Sequence, residues 1–230
     1  MKAVVFDMDG VLFDTERVCM ESWVTVAERH GMQGMREVFP LCIGRNMADD
    51  ERIIKEHYGE DFDYAGYRKE TSKEFWEIIE KNGLPQKKGV KELLSFLAAD
   101  GWRIGLASST KRASILSHLE SAGIREYFSY IIGGEEIEHS KPEPEIYLKA
   151  CEGLGAKPEE TIAIEDSYNG IRSASRAGMI PVMVPDMLPP TPEMEQLSCV
   201  ILSDLLEVLT WIKEREDKSI GKFGNPAEYH

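Results

Sequence analysis

The apolar positions start as an unbroken, β-branched run, Ala3 to Phe6, and break at two carboxylates, Asp7 and Asp9, with Gly10 close behind. A short continuous run of this kind predicts a strand buried on both faces, as in a parallel sheet. The period then becomes helical and stays so for a long stretch. Cys19, Met20, Trp23, Val24 and Ala27 recur at helical spacing over 16–30, before Gly31. Ile53, Ile54 and Tyr58 do so over 47–58, and Tyr67, Phe75, Trp76, Ile78 and Ile79 over 63–82. These read as amphipathic helices whose apolar and aromatic residues are ordinary core. No strand is predicted between 15 and 85.

From about residue 86 strand and helix patterns alternate. A helix over 89–99 (Val90, Leu93, Leu94, Leu97) leads to a strand over 103–107, a helix over 111–122 and a strand over 130–132. A helix opening at Pro144 follows, then a strand over 161–164, a helix over 169–177 closed by Gly178, and a strand over 180–184. A proline-rich loop (Pro185, Pro189, Pro190, Pro192), a short strand over 199–202 and a helix from Ser203 complete the pattern. The fold class is therefore α/β: a Rossmann-like, mainly parallel sheet core with an inserted α-helical cap subdomain. The expected division is a catalytic core of 1–15 and 86–215, a cap of 16–85 over the carboxyl ends of the strands, and a frayed polar tail of 216–230.

Composition narrows the function classes. A chain of 230 residues can bury a substantial core. Cys19, Cys42, Cys151 and Cys199 show no paired spacing, so neither a disulfide framework nor a zinc site is indicated, which fits a reducing cytoplasm. No stretch approaches a membrane span or a signal-peptide core, so a cytoplasmic protein without membrane partners is expected. The net charge of −14 disfavours nucleic acid. An anionic substrate would need a local cluster of metal, lysine and backbone amides working against that overall field. Oligomeric state is not legible, and a monomer is the default expectation.

Strand ends are where an open parallel sheet collects its ligand crevice, and here they carry coherent chemistry. Asp7 and Asp9 are close enough to repel, and a divalent cation such as Mg²⁺ relieves such a pair with oxygen ligands. The strand over 103–107 delivers Ser108, Ser109 and Thr110 before a helix, where hydroxyls and free amides can hold an anion. Lys141 stands before Pro142 and close to Pro144, on a defined corner of the sheet edge, as a compact cation for phosphate. Glu165 and Asp166 follow the strand over 161–164 and could complete a metal site with Asp7 and Asp9. Taken singly, each of these has a plainer reading: an acidic turn, a helix cap, or a solvated lysine.

Their order is similar to the haloacid dehalogenase superfamily signature. The matching parts are Phe6-Asp7-Met8-Asp9-Gly10-Val11, Leu106-Ala107-Ser108-Ser109, Ser140-Lys141-Pro142-Glu143-Pro144-Glu145-Ile146-Tyr147, and Ile164-Glu165-Asp166-Ser167 with Gly170. Asp14-Thr15-Glu16 and Ala177-Gly178-Met179 add to the agreement, and the resemblance covers residues 2 to about 210. It implies the branch with a helical cap, which holds sugar-phosphate phosphatases and β-phosphoglucomutase. Asp7 would be the nucleophile that becomes an aspartyl-phosphate, and Asp9 the general acid and then base. Mg²⁺ would be held by Asp7, the Asp9 carbonyl and Asp166, with help from Glu165. Ser108, Ser109 and Lys141 would hold the phosphoryl oxygens.

Dehalogenases of the superfamily lack the second aspartate, so Asp9 favours phosphoryl transfer. Relative to β-phosphoglucomutase, a histidine position falls on Cys19 and a cap arginine position on Met47. Both departures favour a Mg²⁺-dependent phosphatase for a small phosphorylated metabolite, a sugar phosphate first, over a mutase. A catalytically idle binding module ranks third, because no acid or lysine of the signature is missing. Arg45 and Asn46 are candidate substrate contacts in the cap, and Lys88 is read as a local loop change.

Overall fold

The computed structural model describes residues 2–43 and 47–219. Strand β1 (Ala3–Phe6) is followed by four helices: α1 (Thr15–Arg29), α2 (Met35–Val38), α3 (Met47–Tyr58) and α4 (Tyr64–Asn82). The chain then alternates through α5 (Val90–Ala99), β2 (Arg103–Ala107), α6 (Arg112–Ser121), β3 (Tyr130–Ile132), α7 (Glu145–Leu154), β4 (Thr161–Glu165) and α8 (Tyr168–Arg176). It ends with β5 (Ile180–Met183), α9 (Pro192–Leu197), β6 (Val200–Ile201) and α10 (Leu205–Ser219).

The six strands form one sheet in the order β3-β2-β1-β4-β5-β6, and all five pairings are parallel. Successive side chains of β1 go to opposite faces, so its continuous apolar run feeds two cores. Val4 and Phe6 join Ile104, Leu106, Ile162 and Ile164 against α5, α6 and α10. Ala3 and Val5 join Ala107, Ile132 and Ala163 against α7 and α8. Strand order reverses at β1, with β2 on one side and β4 on the other, which makes the gap beyond their carboxyl ends the switch-point crevice. Register sets its contents level: Phe6 pairs with both Leu106 and Ile164, so Asp7, Ala107 and Glu165 follow side by side.

Helices α1 to α4 carry a core of their own. Trp23 lies edge-on to Phe39 and Tyr67 at ring separations of 5.3 and 5.6 Å, and the Tyr67 hydroxyl donates to the Trp23 carbonyl at 2.5 Å. Two linkers join this cap to the sheet and are bonded to each other: Asp14 N–H donates to the Pro85 carbonyl and Lys87 N–H to the Leu12 carbonyl, both at 2.9 Å. Trp76 of α4 stacks on His118 of α6 at 5.8 Å and 13°, bringing cap and core together beside the linkers.

Three local differences from the sequence reading have simple causes. The proline-rich loop contains α9, because the Thr191 hydroxyl caps it by accepting from Met194 N–H at 3.4 Å, Pro192 suits the first turn, and Met194 is fully buried. The helix from the last strand runs on to Ser219, so the tail expected to fray from 216 is helical as far as that residue. The short α2 is too brief for a 3.6-residue period to show. Among the described residues, no helix is long and apolar enough to cross a membrane.

Candidate active site

Asp7 leaves β1 with its N–H donating to the Ile164 carbonyl at 3.0 Å, which fixes the carboxylate at the crevice floor. Lys141 arrives from the opposite side, just before α7. Its ammonium donates to Asp7 Oδ1 at 2.5 Å, to Glu165 Oε1 at 2.6 Å and to the Ala107 carbonyl at 3.2 Å. One buried cation thus bridges two buried carboxylates. Burial works against the Lys141 charge, but Asp7 and Glu165 outweigh it and raise its pKa.

Carboxyl oxygens of Asp7, Glu165 and Asp166 lie within 4.8 Å of one another. Burial, with Glu165 and Asp9 adding repulsion against the relief from Lys141, pushes Asp7 up to about 8. Asp166 is raised well above the usual range by burial, then by Glu165 and Asp7. Lys141 relieves only part of this crowded charge, and an all-oxygen donor set of this size suits a hard divalent ion such as Mg²⁺. The loop makes room for it: Gly10 has φ +77°, and a Cβ there would overlap the Asp166 carboxylate.

Glu165 differs from its neighbours because its oxygens are already taken. Oε1 accepts from Lys141 and from the Tyr147 hydroxyl at 2.7 Å. Oε2 accepts from Asp166 N–H at 3.1 Å, Ser167 N–H at 3.3 Å and the Ser167 hydroxyl at 3.1 Å. Glu165 is fully buried and Gly170 of α8 passes so close that any Cβ would overlap its carboxyl group. Such an acid is an anchor for Lys141 more than a free ligand.

The Asp9 carboxylate turns away from this cluster. Its Oδ2 accepts from the Thr110 hydroxyl at 2.9 Å and from the Ser108 hydroxyl at 3.4 Å. Asp9 therefore has no place in the carboxylate group that Asp7, Glu165 and Asp166 form, which leaves its backbone carbonyl for any metal role. Ser108 is fully buried and also accepts from Thr110 N–H at 3.0 Å, closing the turn before α6. Ser109 is exposed. Arg45 and Asn46 lie outside the described residues.

Two residues named in the sequence only as part of longer runs stand beside the site. Thr110 sits inside the Ser-Ser-Thr run, and its hydroxyl orients Asp9. Glu16, in the first turn of α1, is pushed up to about 7 by burial and then by the charges of Asp186, Asp9 and Asp50.

The family model for haloacid dehalogenase-like hydrolases matches residues 1–178. A phosphorylated carbohydrates phosphatase from Thermotoga maritima is 32% identical over 183 residues, 78% of this chain and 82% of its own. Among solved structures, a HAD-family hydrolase from Deinococcus radiodurans with bound phosphate and sodium superposes with a TM-score of 0.79 at 24% identity, covering 93% of this chain and 96% of the other. A β-phosphoglucomutase from Clostridium difficile gives 0.69 at 24% identity, covering 96% and 100%. Those two structures share the fold. Matched over most of its length by the family model and by a relative of comparable size, the chain belongs to the haloacid dehalogenase-like hydrolases.

Proposed function

We propose that the protein is a Mg²⁺-dependent phosphatase of a small phosphorylated metabolite, a sugar phosphate, acting through an aspartyl-phosphate on Asp7. The observation that carries this reading is the division of labour between two carboxylates two residues apart. Asp7 is buried against Lys141 at 2.5 Å, whereas Asp9 is held by Thr110 at 2.9 Å, away from the acidic cluster. That difference supports a nucleophile's role for Asp7 and a proton-transfer role for Asp9.

An Asp7 oxygen attacks phosphorus and the ester P–O bond breaks; Asp9, protonated, gives its proton to the leaving alkoxide. Asp9, now a carboxylate, takes a proton from water as that water attacks the phosphorus of phospho-Asp7, releasing inorganic phosphate and restoring both acids. Lys141 and Ser108 hold the phosphoryl oxygens. Mg²⁺, held by Asp7, the Asp9 carbonyl and Asp166, supplies neutralising charge to those oxygens when bound. Glu165 keeps Lys141 in place. The phosphatase named among the relatives supports the same substrate class.

The mutase reading is weaker because Cys19 and Met47 stand where that reaction's histidine and arginine are expected. The test is phosphate release from a panel of sugar phosphates with Mg²⁺, with product identity checked on the best substrate. Release abolished by EDTA and by Asp7→Asn supports the proposal. Conversion of β-glucose 1-phosphate to glucose 6-phosphate without phosphate release would replace it with the mutase, and silence across the panel would overturn it.

A further inference from the structure

We infer that Tyr147 is a positioning residue for phosphoryl transfer, its hydroxyl holding Glu165 so that Lys141 stays directed at Asp7. The inference rests on the phosphatase reading above and assigns a role to a side chain that closes the Lys141 stretch of the signature without a role of its own there.

Tyr147 is completely buried and packs with Ile146, Ala150, Cys151 and Leu154 beneath the sheet. A phenylalanine would fill that space equally well, so the hydroxyl needs a reason of its own. It donates to Glu165 Oε1 at 2.7 Å, while Lys141 Nζ lies 3.5 Å from the same hydroxyl and 5.0 Å from the ring centroid. Lys141 and Tyr147 come from one short segment, six residues apart, so the turn into α7 carries the cation and the first turn of α7 the group that steadies its anchor.

The electrostatics give the hydroxyl a specific effect. Asp7 and Glu165 compete for one ammonium at nearly equal distances, 2.5 and 2.6 Å. A hydroxyl proton on Glu165 Oε1 reduces the charge that oxygen offers to Lys141, and so tilts the shared cation toward Asp7 and the phosphoryl oxygens arriving there. Without it, Glu165 retains only Lys141 on Oε1, and Lys141 is drawn back from the reacting atoms. The three donors on Oε2 remain, so Glu165 does not swing free. The consequence falls on the chemical step and not on substrate capture, metal capture or folding.

Tyr147→Phe keeps the ring and its packing and removes one oxygen. On the best substrate of the panel we expect kcat to fall about 10- to 100-fold, the range seen when a group orienting a site ligand is removed. KM and the Mg²⁺ affinity measured by calorimetry should stay within about twofold of wild type, and the midpoint of thermal unfolding should be nearly unchanged. Tyr147→Leu, which also loses the ring, should lower the unfolding midpoint while reducing kcat no further than about tenfold beyond Tyr147→Phe. A kcat for Tyr147→Phe within twofold of wild type overturns the inference, as does a kcat loss that comes with matching losses of Mg²⁺ affinity or thermal stability. Wild-type protein that releases phosphate from no ester overturns the phosphatase reading and this inference together, whereas an active wild type with an indifferent Tyr147→Phe overturns the inference alone.

Discussion

Replacing Lys141 by methionine removes the one cation seen bridging Asp7 and Glu165 and keeps most of the side-chain volume. In the intact protein the ammonium is 2.5 Å from Asp7 and 2.6 Å from Glu165, with 7% of the Lys141 side chain exposed. Water can therefore do little to replace it, and breaking a buried pair by deleting one partner costs about 3–5 kcal/mol. For a chain of this size, with about 2–4 °C of midpoint shift per kcal/mol, the loss corresponds to about 6–20 °C in metal-free buffer at pH 8. The loss should depend on pH in a defined direction. Lys141 has a raised pKa in the fold, so its contribution is complete below the ordinary lysine value and lost only above it. Asp7, already raised by burial, is protonated as pH falls, so one of the two charges left facing the gap is removed and the penalty should be smaller at pH 5 than at pH 8. Thermal unfolding of wild type and Lys141→Met with EDTA at both pH values measures this. A shift below about 2 °C at pH 8, or an equal shift at pH 5, would refute the view that Lys141 neutralises two buried acids.

Asp9→Asn should lower kcat on a sugar phosphate about 10²- to 10⁴-fold, as expected for loss of a general acid, and much less on p-nitrophenyl phosphate, whose leaving group needs no proton. Steady-state rates on both esters decide it. Burial raises Asp7 from 3.8 to about 8, so in the metal-free protein its contribution to stability is complete below pH 4 and is lost as pH rises toward 8. Mg²⁺ needs the ionised form, and the increase in thermal midpoint on adding Mg²⁺ should therefore grow from pH 5 to pH 8; calorimetric scans at the two pH values check the sign. Gly10→Ala places a Cβ on the Asp166 carboxylate at a backbone φ of +77°, and should weaken Mg²⁺ binding at least about tenfold in a titration.

The crevice was legible in the sequence because each apolar run that feeds it ends in a polar residue at or just past the carboxyl end of its strand. Phe6 gives way to Asp7, Ala107 to Ser108 and Ile164 to Glu165, and the parallel register brings these ends within one residue of level. The direction of each polar side chain was not legible. Asp9 reads as the twin of Asp7 until Thr110 turns it toward the loop before α6. Glu165 and Asp166 read as one acidic pair until five donors on Glu165 set them apart. Tyr147 looks like core in any period count, because periodicity places a side chain on a face without saying where its hydroxyl ends.

The central claim is that Asp7 carries the phosphoryl group, and mass spectrometry of acid-quenched enzyme tests it most directly. Protein mixed with its best sugar phosphate and Mg²⁺, quenched during turnover and digested, should show one added phosphoryl group on the peptide that contains Asp7, absent from Asp7→Asn. Full turnover with that peptide unmodified, or an Asp7→Asn protein that still hydrolyses the ester at the wild-type rate, would contradict it.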